Sequence, residues 1–168
     1  GLHAGEFIVI GGRPSTGKTT FSLNLIQRIG IQQGQGVLMF SLEMPREQIA
    51  RNLLCCHGGM DADALRTGKL DRRQWDLVRQ GSSDLNDSPI LIDDASTLTP
   101  AQLRSKCRRV FARHDVKVIV IDYLQLMSAD IAKRDQSRQQ EITEISRSLK
   151  ALAKEMKVPV VALSQLSR

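Results

Sequence analysis

The segment Gly12-Arg13-Pro14-Ser15-Thr16-Gly17-Lys18-Thr19 fits the pattern G-x-x-x-x-G-K-S/T, and its setting restricts the folds open to this chain. It follows an apolar, β-branched run, Phe7-Ile8-Val9-Ile10, and precedes a helical pattern carrying Phe21, Leu25 and Ile29. A strand, a glycine-rich turn and a helix in that order aim the loop's N–H groups and the helix N-terminus at one point, which attracts an anion. The spacing therefore predicts a phosphate cradle for a nucleotide, formed by Gly12, Arg13, Pro14, Ser15, Thr16, Gly17, Lys18, Thr19 and Thr20. Lys18 supplies a point charge to the β- and γ-phosphates, and the Thr19 hydroxyl a ligand for Mg²⁺. The plain alternative is a glycine turn followed by an exposed lysine. The flanking strand and helix disfavour it.

Apolar runs alternate with helical patterns along the rest of the chain. They are Val37-Leu38-Met39-Phe40 after Gly34 and Gly36, Ile90-Leu91-Ile92 after Pro89, Val118-Ile119-Val120-Ile121, and Val158-Pro159-Val160-Val161-Ala162-Leu163. Such alternation implies an α/β domain around a mainly parallel sheet, and near-continuous apolar runs imply strands covered on both faces. Aromatic residues are only 4% of the chain, so the core rests on Leu, Ile, Val and Met.

Helix ends are readable too. Thr99-Pro100-Ala101-Gln102 offers an N-cap, a first-turn proline and a capping-box glutamine, and Asp71 with Gln74 repeats the theme. The longest helical pattern runs from Gln139 to Lys157, with Ile142, Ile145, Leu149, Leu152 and Met156 on one stripe. Residues 58–87 read as a small helical insertion between the second and third strands, and Ser128 to Gln136 as an aperiodic, mobile loop. With no repeat or linker, residues 1–168 form one domain.

A phosphate cradle of this kind needs an acid for the metal and a base for the attacking water. Asp122 ends a buried strand at the C-terminal edge, where open α/β sheets bind ligands, and is the natural partner of Mg²⁺. The base is less determined. Tyr123, not a glutamate, follows Asp122; Glu43 closes the second strand, and Asp93 with Asp94 closes the third on the same logic. Gln165 follows the last strand, where its neutral amide either hydrogen-bonds a γ-phosphate or serves as an ordinary loop residue.

Five segments together resemble the motor domain of DnaB-type replicative DNA helicases, of bacterial or phage kind. They are Gly11 to Thr19, Ser41-Leu42-Glu43-Met44, Ile121-Asp122-Tyr123-Leu124-Gln125-Leu126-Met127, Glu144 to Lys150 and Leu163-Ser164-Gln165-Leu166-Ser167-Arg168. The resemblance covers nearly the whole chain and implies a RecA-like P-loop ATPase, a mainly parallel twisted sheet flanked by helices. It implies ATP and Mg²⁺ as cofactors, and a homo-oligomeric, hexameric ring acting on single-stranded and forked DNA. It also implies that Glu43 is the base, Asp122 the metal residue and Gln165 the γ-phosphate sensor, with Lys18 on the phosphates. Thr16 and Thr20 stand where the family more often has methionine and alanine, and neither change removes a phosphate contact. Family members continue past the position of Arg168 with a DNA-binding loop and an arginine finger, so the chain reads as a truncated motor domain. Primase and a helicase loader would meet regions outside it. A RecA- or RadA-like recombinase and a nucleotide-gated ring assembly module are the rival functions.

Lys plus Arg number 24 against 18 Asp plus Glu, a net charge of +6 that favours polyanionic partners. Lys133 and Arg134 in the aperiodic loop and Arg138 just after it are the candidate DNA contacts, since in this fold class that loop points to the central channel. No aromatic residue interleaves them, so charge rather than base stacking would track the strand. The run Arg104, Lys106, Arg108, Arg109, Arg113 and Lys117 reads instead as the solvated side of a helix. Adjacent Cys55, Cys56 and His57 cannot span a zinc tetrahedron. No run approaches a membrane span and no signal peptide precedes the first strand, so a cytoplasmic location is expected.

Overall fold

The computed structural model describes residues 1–127 and 138–166. In chain order the elements are β1 (Phe7–Gly12), α1 (Lys18–Gln27) running into a π-helical turn (Arg28–Gln32), β2 (Gly36–Ser41), α2 (Arg46–Gly58), α3 (Ala62–Thr67) and α4 (Arg72–Asp87). There follow β3 (Ile90–Asp93), α5 (Pro100–Phe111), β4 (Val116–Asp122), a 3₁₀ turn (Leu124–Leu126), α6 (Arg138–Met156) and β5 (Val160–Gln165). The strands form one five-stranded sheet in the order β1-β5-β4-β2-β3, parallel throughout.

Strand alternation divides the apolar runs between two cores. Val37 and Met39 of β2, Val118 and Val120 of β4 and Val161 of β5 pack with Leu23 and Ile26 of α1 and Ile49 and Leu53 of α2. Their neighbours Leu38, Phe40, Ile119, Ile121, Val160 and Ala162 pack on the other face with Leu103 and Cys107 of α5 and Ile145, Leu149 and Leu152 of α6. Each Val, Leu, Ile, Phe or Met side chain so taken from water contributes roughly 1.5–3 kcal/mol, and the alternation lets both faces of the sheet bury such residues. Cys107 lies wholly in the second core, and burial pushes its thiol up to about 12. The outer strands β1 and β3 are less covered; Val9 of β1 is half exposed.

Both capping boxes form. Asp71 accepts from the Gln74 N–H at 2.7 Å while the Gln74 side chain accepts from the Asp71 N–H at 2.8 Å, and Thr99 and Gln102 exchange the same pair of bonds. The insertion is larger than short helical pieces, since α4 alone has 16 residues. It docks on α2 through a bond of 2.8 Å between His57 Nε2 and Asp84.

Phe21, Leu25 and Ile29 do not define the buried face of α1. Its sheet-facing residues are Ser22, Leu23, Ile26 and Gln27, whereas Phe21 is exposed and Leu25 and Ile29 only flank the core. The reason lies one turn earlier: Thr19 is turned inward onto Asp122, and positions three, four and seven residues beyond it share its face. The segment Ser128 to Gln136, with Lys133 and Arg134, lies outside the described residues. Among those described, no helix is long and apolar enough to cross a membrane.

Candidate functional site

Parallel pairing brings the C-terminal ends of β1, β2, β4 and β5 to one edge, and a cleft of about 440 Å³ opens there. It is lined by Pro14, Ser15, Gly17, Lys18, Thr19 and Thr20 of the loop and by Glu43, Asp122, Tyr123 and Gln165. Gly12, Arg13 and Thr16 build the loop behind this lining. The Thr16 hydroxyl donates to the Arg13 carbonyl at 2.7 Å, and a Cβ on Gly12 would stand 2.8 Å from that hydroxyl oxygen. Gly17 has φ +85°, a left-handed conformation that glycine adopts without steric cost and that turns the chain into α1. Lys18 Nζ donates to the carbonyls of Gly12 and Arg13 at 2.8 and 2.7 Å, which holds the ammonium over the loop.

Thr19 Oγ1 donates to Asp122 Oδ2 at 2.9 Å, joining the start of α1 to the end of β4. Asp122 is only 2% exposed. Its carboxyl is pushed up by burial and, more weakly, by the nearby Glu43; the Thr19 hydroxyl and the Lys18 charge oppose this. A hydroxyl and a carboxylate converging at the cleft are the hard oxygen donors that suit Mg²⁺. The residues present fit that ion.

Glu43 lies two residues beyond β2 rather than at its end. Ser41 makes that turn: its hydroxyl donates to the Met44 carbonyl at 2.7 Å and accepts from the Met44 N–H at 3.3 Å. Leu42 N–H donates to the Asp122 carbonyl at 2.7 Å, so the turn is pinned beside Asp122 and the exposed Glu43 reaches the cleft. The two rival acids are engaged elsewhere. Asp93 takes Lys106 Nζ at 2.8 and 2.5 Å, and Asp94 accepts from the Arg46 N–H at 3.1 Å, at the start of α2. Both serve the packing of α5 and α2.

A family model, the DnaB-like helicase C terminal domain, matches residues 1–168. The chain belongs to that family. This DnaB-like domain is 44% identical over 168 residues to the replicative DNA helicase DnaB of Geobacillus stearothermophilus, covering all of this chain and 37% of that protein. It is 42% identical to the replicative DNA helicase DnaC of Bacillus subtilis (strain 168), with the same coverage. It therefore spans little more than a third of the length of these curated relatives. A solved DnaB-like replicative helicase, described with its interactions with primase, superposes with a TM-score of 0.90 at 31% identity, over 99% of this chain and 40% of that one.

Three residues that line or support the cleft of this DnaB-like domain are not marked as such by the sequence. Ser41 positions Glu43, and a hydroxyl residue closing a strand three residues before a carbonyl it can reach was the available signal. Tyr123 lines the cleft. Gln125 holds Gln165 by the hydrogen bonds described below; it lay inside a quoted motif, but nothing in its spacing marked it. Among the basic residues, Arg104 and Arg108 pair with Glu155 of α6 at 2.6 and 2.7 Å, so part of the α5 charge is structural. His57 is hydrogen-bonded to Gln27 at 3.1 Å and to Asp84. Arg138 pairs with Glu141 and donates to the Gln125 carbonyl.

Proposed function

We propose that this domain is the ATP-driven motor of a replicative DNA helicase, coupling hydrolysis to movement along single-stranded DNA and to separation of forked duplex. The observation that carries the reading is the convergence of Lys18, the Thr19–Asp122 pair, Glu43 and Gln165 on one cleft of a DnaB-like scaffold. In this reading Lys18 exchanges its two loop carbonyls for β- and γ-phosphate oxygens of ATP. Thr19 and Asp122 hold Mg²⁺, which when bound neutralises charge on the phosphates. Glu43 takes a proton from water as the water oxygen bonds to the γ-phosphorus; the bond to the β,γ-bridging oxygen breaks and ADP carries away its electrons. Gln165 donates to the γ-phosphate and loses that bond when phosphate leaves.

The partners follow the family. The motor works as a hexameric ring, with single-stranded and forked DNA as substrate, and primase and a loader meet parts of the protein beyond this domain. Lys133, Arg134 and Arg138 are the DNA contacts in this reading. Nucleotide binding and turnover test the chemistry. Glu43→Gln is expected to bind a fluorescent ATP analogue as wild type does while losing about 10²-fold or more in kcat. Lys18→Ala is expected to weaken that binding about tenfold or more. Normal turnover by Glu43→Gln would remove Glu43 from the mechanism, and normal binding by Lys18→Ala would refute the phosphate cradle.

A further inference from the structure

Strand β5 outruns one of its neighbours. The β4–β5 ladder ends at Ile121 opposite Ala162, because β4 stops at Asp122 and the chain leaves through the turn at Leu124–Leu126. On the other side, pairing with β1 continues to Gly12 opposite Gln165, and the Leu166 N–H donates to the Gly12 carbonyl at 3.0 Å. One side of the Gln165 backbone thus has no strand beside it. The Gln125 side chain takes that place. Its Nε2 donates to the Gln165 carbonyl at 2.8 Å and to the Ser164 hydroxyl at 2.9 Å, while its Oε1 accepts from the Gln165 N–H at 3.1 Å. A single amide therefore serves both backbone groups of one residue, as a strand would.

Gln125 is itself well anchored. Leu124 and Met127 beside it are buried, the Met127 N–H donates to the Leu124 carbonyl at 3.2 Å, and Arg138 at the start of α6 donates to the Gln125 carbonyl. Gln165 is exposed in the cleft and sits at the last residue of its strand, where fraying is easiest.

We infer that Gln125 is a positioning residue for ATP hydrolysis: its amide fixes the backbone of Gln165 so that the Gln165 side chain is held in the cleft with Lys18 and Glu43. This rests on the ATPase reading above. The role concerns the γ-phosphate end, so its loss falls on kcat and leaves the loop contacts of Lys18 and Thr19, and with them KM, in place.

The test compares Gln125→Ala and Gln125→Met in the intact protein. Methionine keeps the side chain's bulk and removes its hydrogen bonds, so it separates packing from positioning. Both variants are expected to lower kcat for ATP about tenfold with KM changed less than about twofold. In both, hydrogen exchange of the Gln165 amide, read without nucleotide, is expected to quicken. Wild-type kcat in Gln125→Met, or unchanged Gln165 exchange in either variant, would overturn the positioning role alone. A wild-type protein that hydrolyses no ATP would overturn the ATPase reading, and the positioning role with it.

Discussion

At Gly36 a missing side chain sets the register of a strand. The pairing of β2 with β4 slips between Gly36 opposite Val116 and Val37 opposite Val118, and a Cβ on Gly36 would stand 2.1 Å from the Asp115 carbonyl oxygen. A backbone carbonyl cannot rotate away as a side chain would, so the slip requires glycine. Gly36→Ala is expected to destabilise the domain by about 2 kcal/mol or more, seen as a lower urea midpoint. In the sequence that glycine shows only as a residue just before the second apolar run. Glu43 was half legible for a related reason: its place depends on the Ser41 hydroxyl and on a bond across strands to Asp122, and long-range partners leave no local spacing. The places of Lys18 and Thr19 were legible because strand, loop and helix fix them within a few residues of chain, and that of Asp122 because it ends an apolar run; the bond joining Thr19 to Asp122, 103 residues apart, was not. Gln125 was not, since its bonds reach 40 residues along the chain to Gln165.

Elements were read best where their ends carry local chemistry. Both capping boxes sit where the sequence places them, and α6 begins and ends within one residue of the expected helix. Thr99→Ala, which leaves the Gln102 N–H without its side-chain acceptor, is expected to cost about 1 kcal/mol, measured by thermal or urea unfolding. The rotation of α1 could not be read from its hydrophobic residues, because the inward turn of Thr19 governs it. Phe21 pays no part of the core as a result and faces solvent. Strand lengths shifted by one or two residues, as in β1 and β2, which hydrogen bonding extends through glycine and serine that an apolar pattern leaves out.

At the scale of the whole molecule, alternating strands and helices gave a parallel sheet, but not the order β1-β5-β4-β2-β3. That order assembles the cleft. It pairs β2 directly with β4, so Glu43 and Asp122 line the same opening, and seats β5 between β1 and β4, so Gln165 lies opposite Gly12 of the glycine-rich loop. Buried strands of similar composition carry no label of their neighbours, so the arrangement follows from crossover packing that the sequence pattern does not show. The net charge of +6 suits a polyanionic partner without naming one. In the proposed function this cleft drives strand separation, and ATP-dependent unwinding of a forked DNA duplex by the intact protein, wild type beside Glu43→Gln, tests that most directly. Unwinding by wild type that disappears in Glu43→Gln, with nucleotide still bound, is the predicted result; ATP turnover and DNA binding with no unwinding by wild type would contradict it.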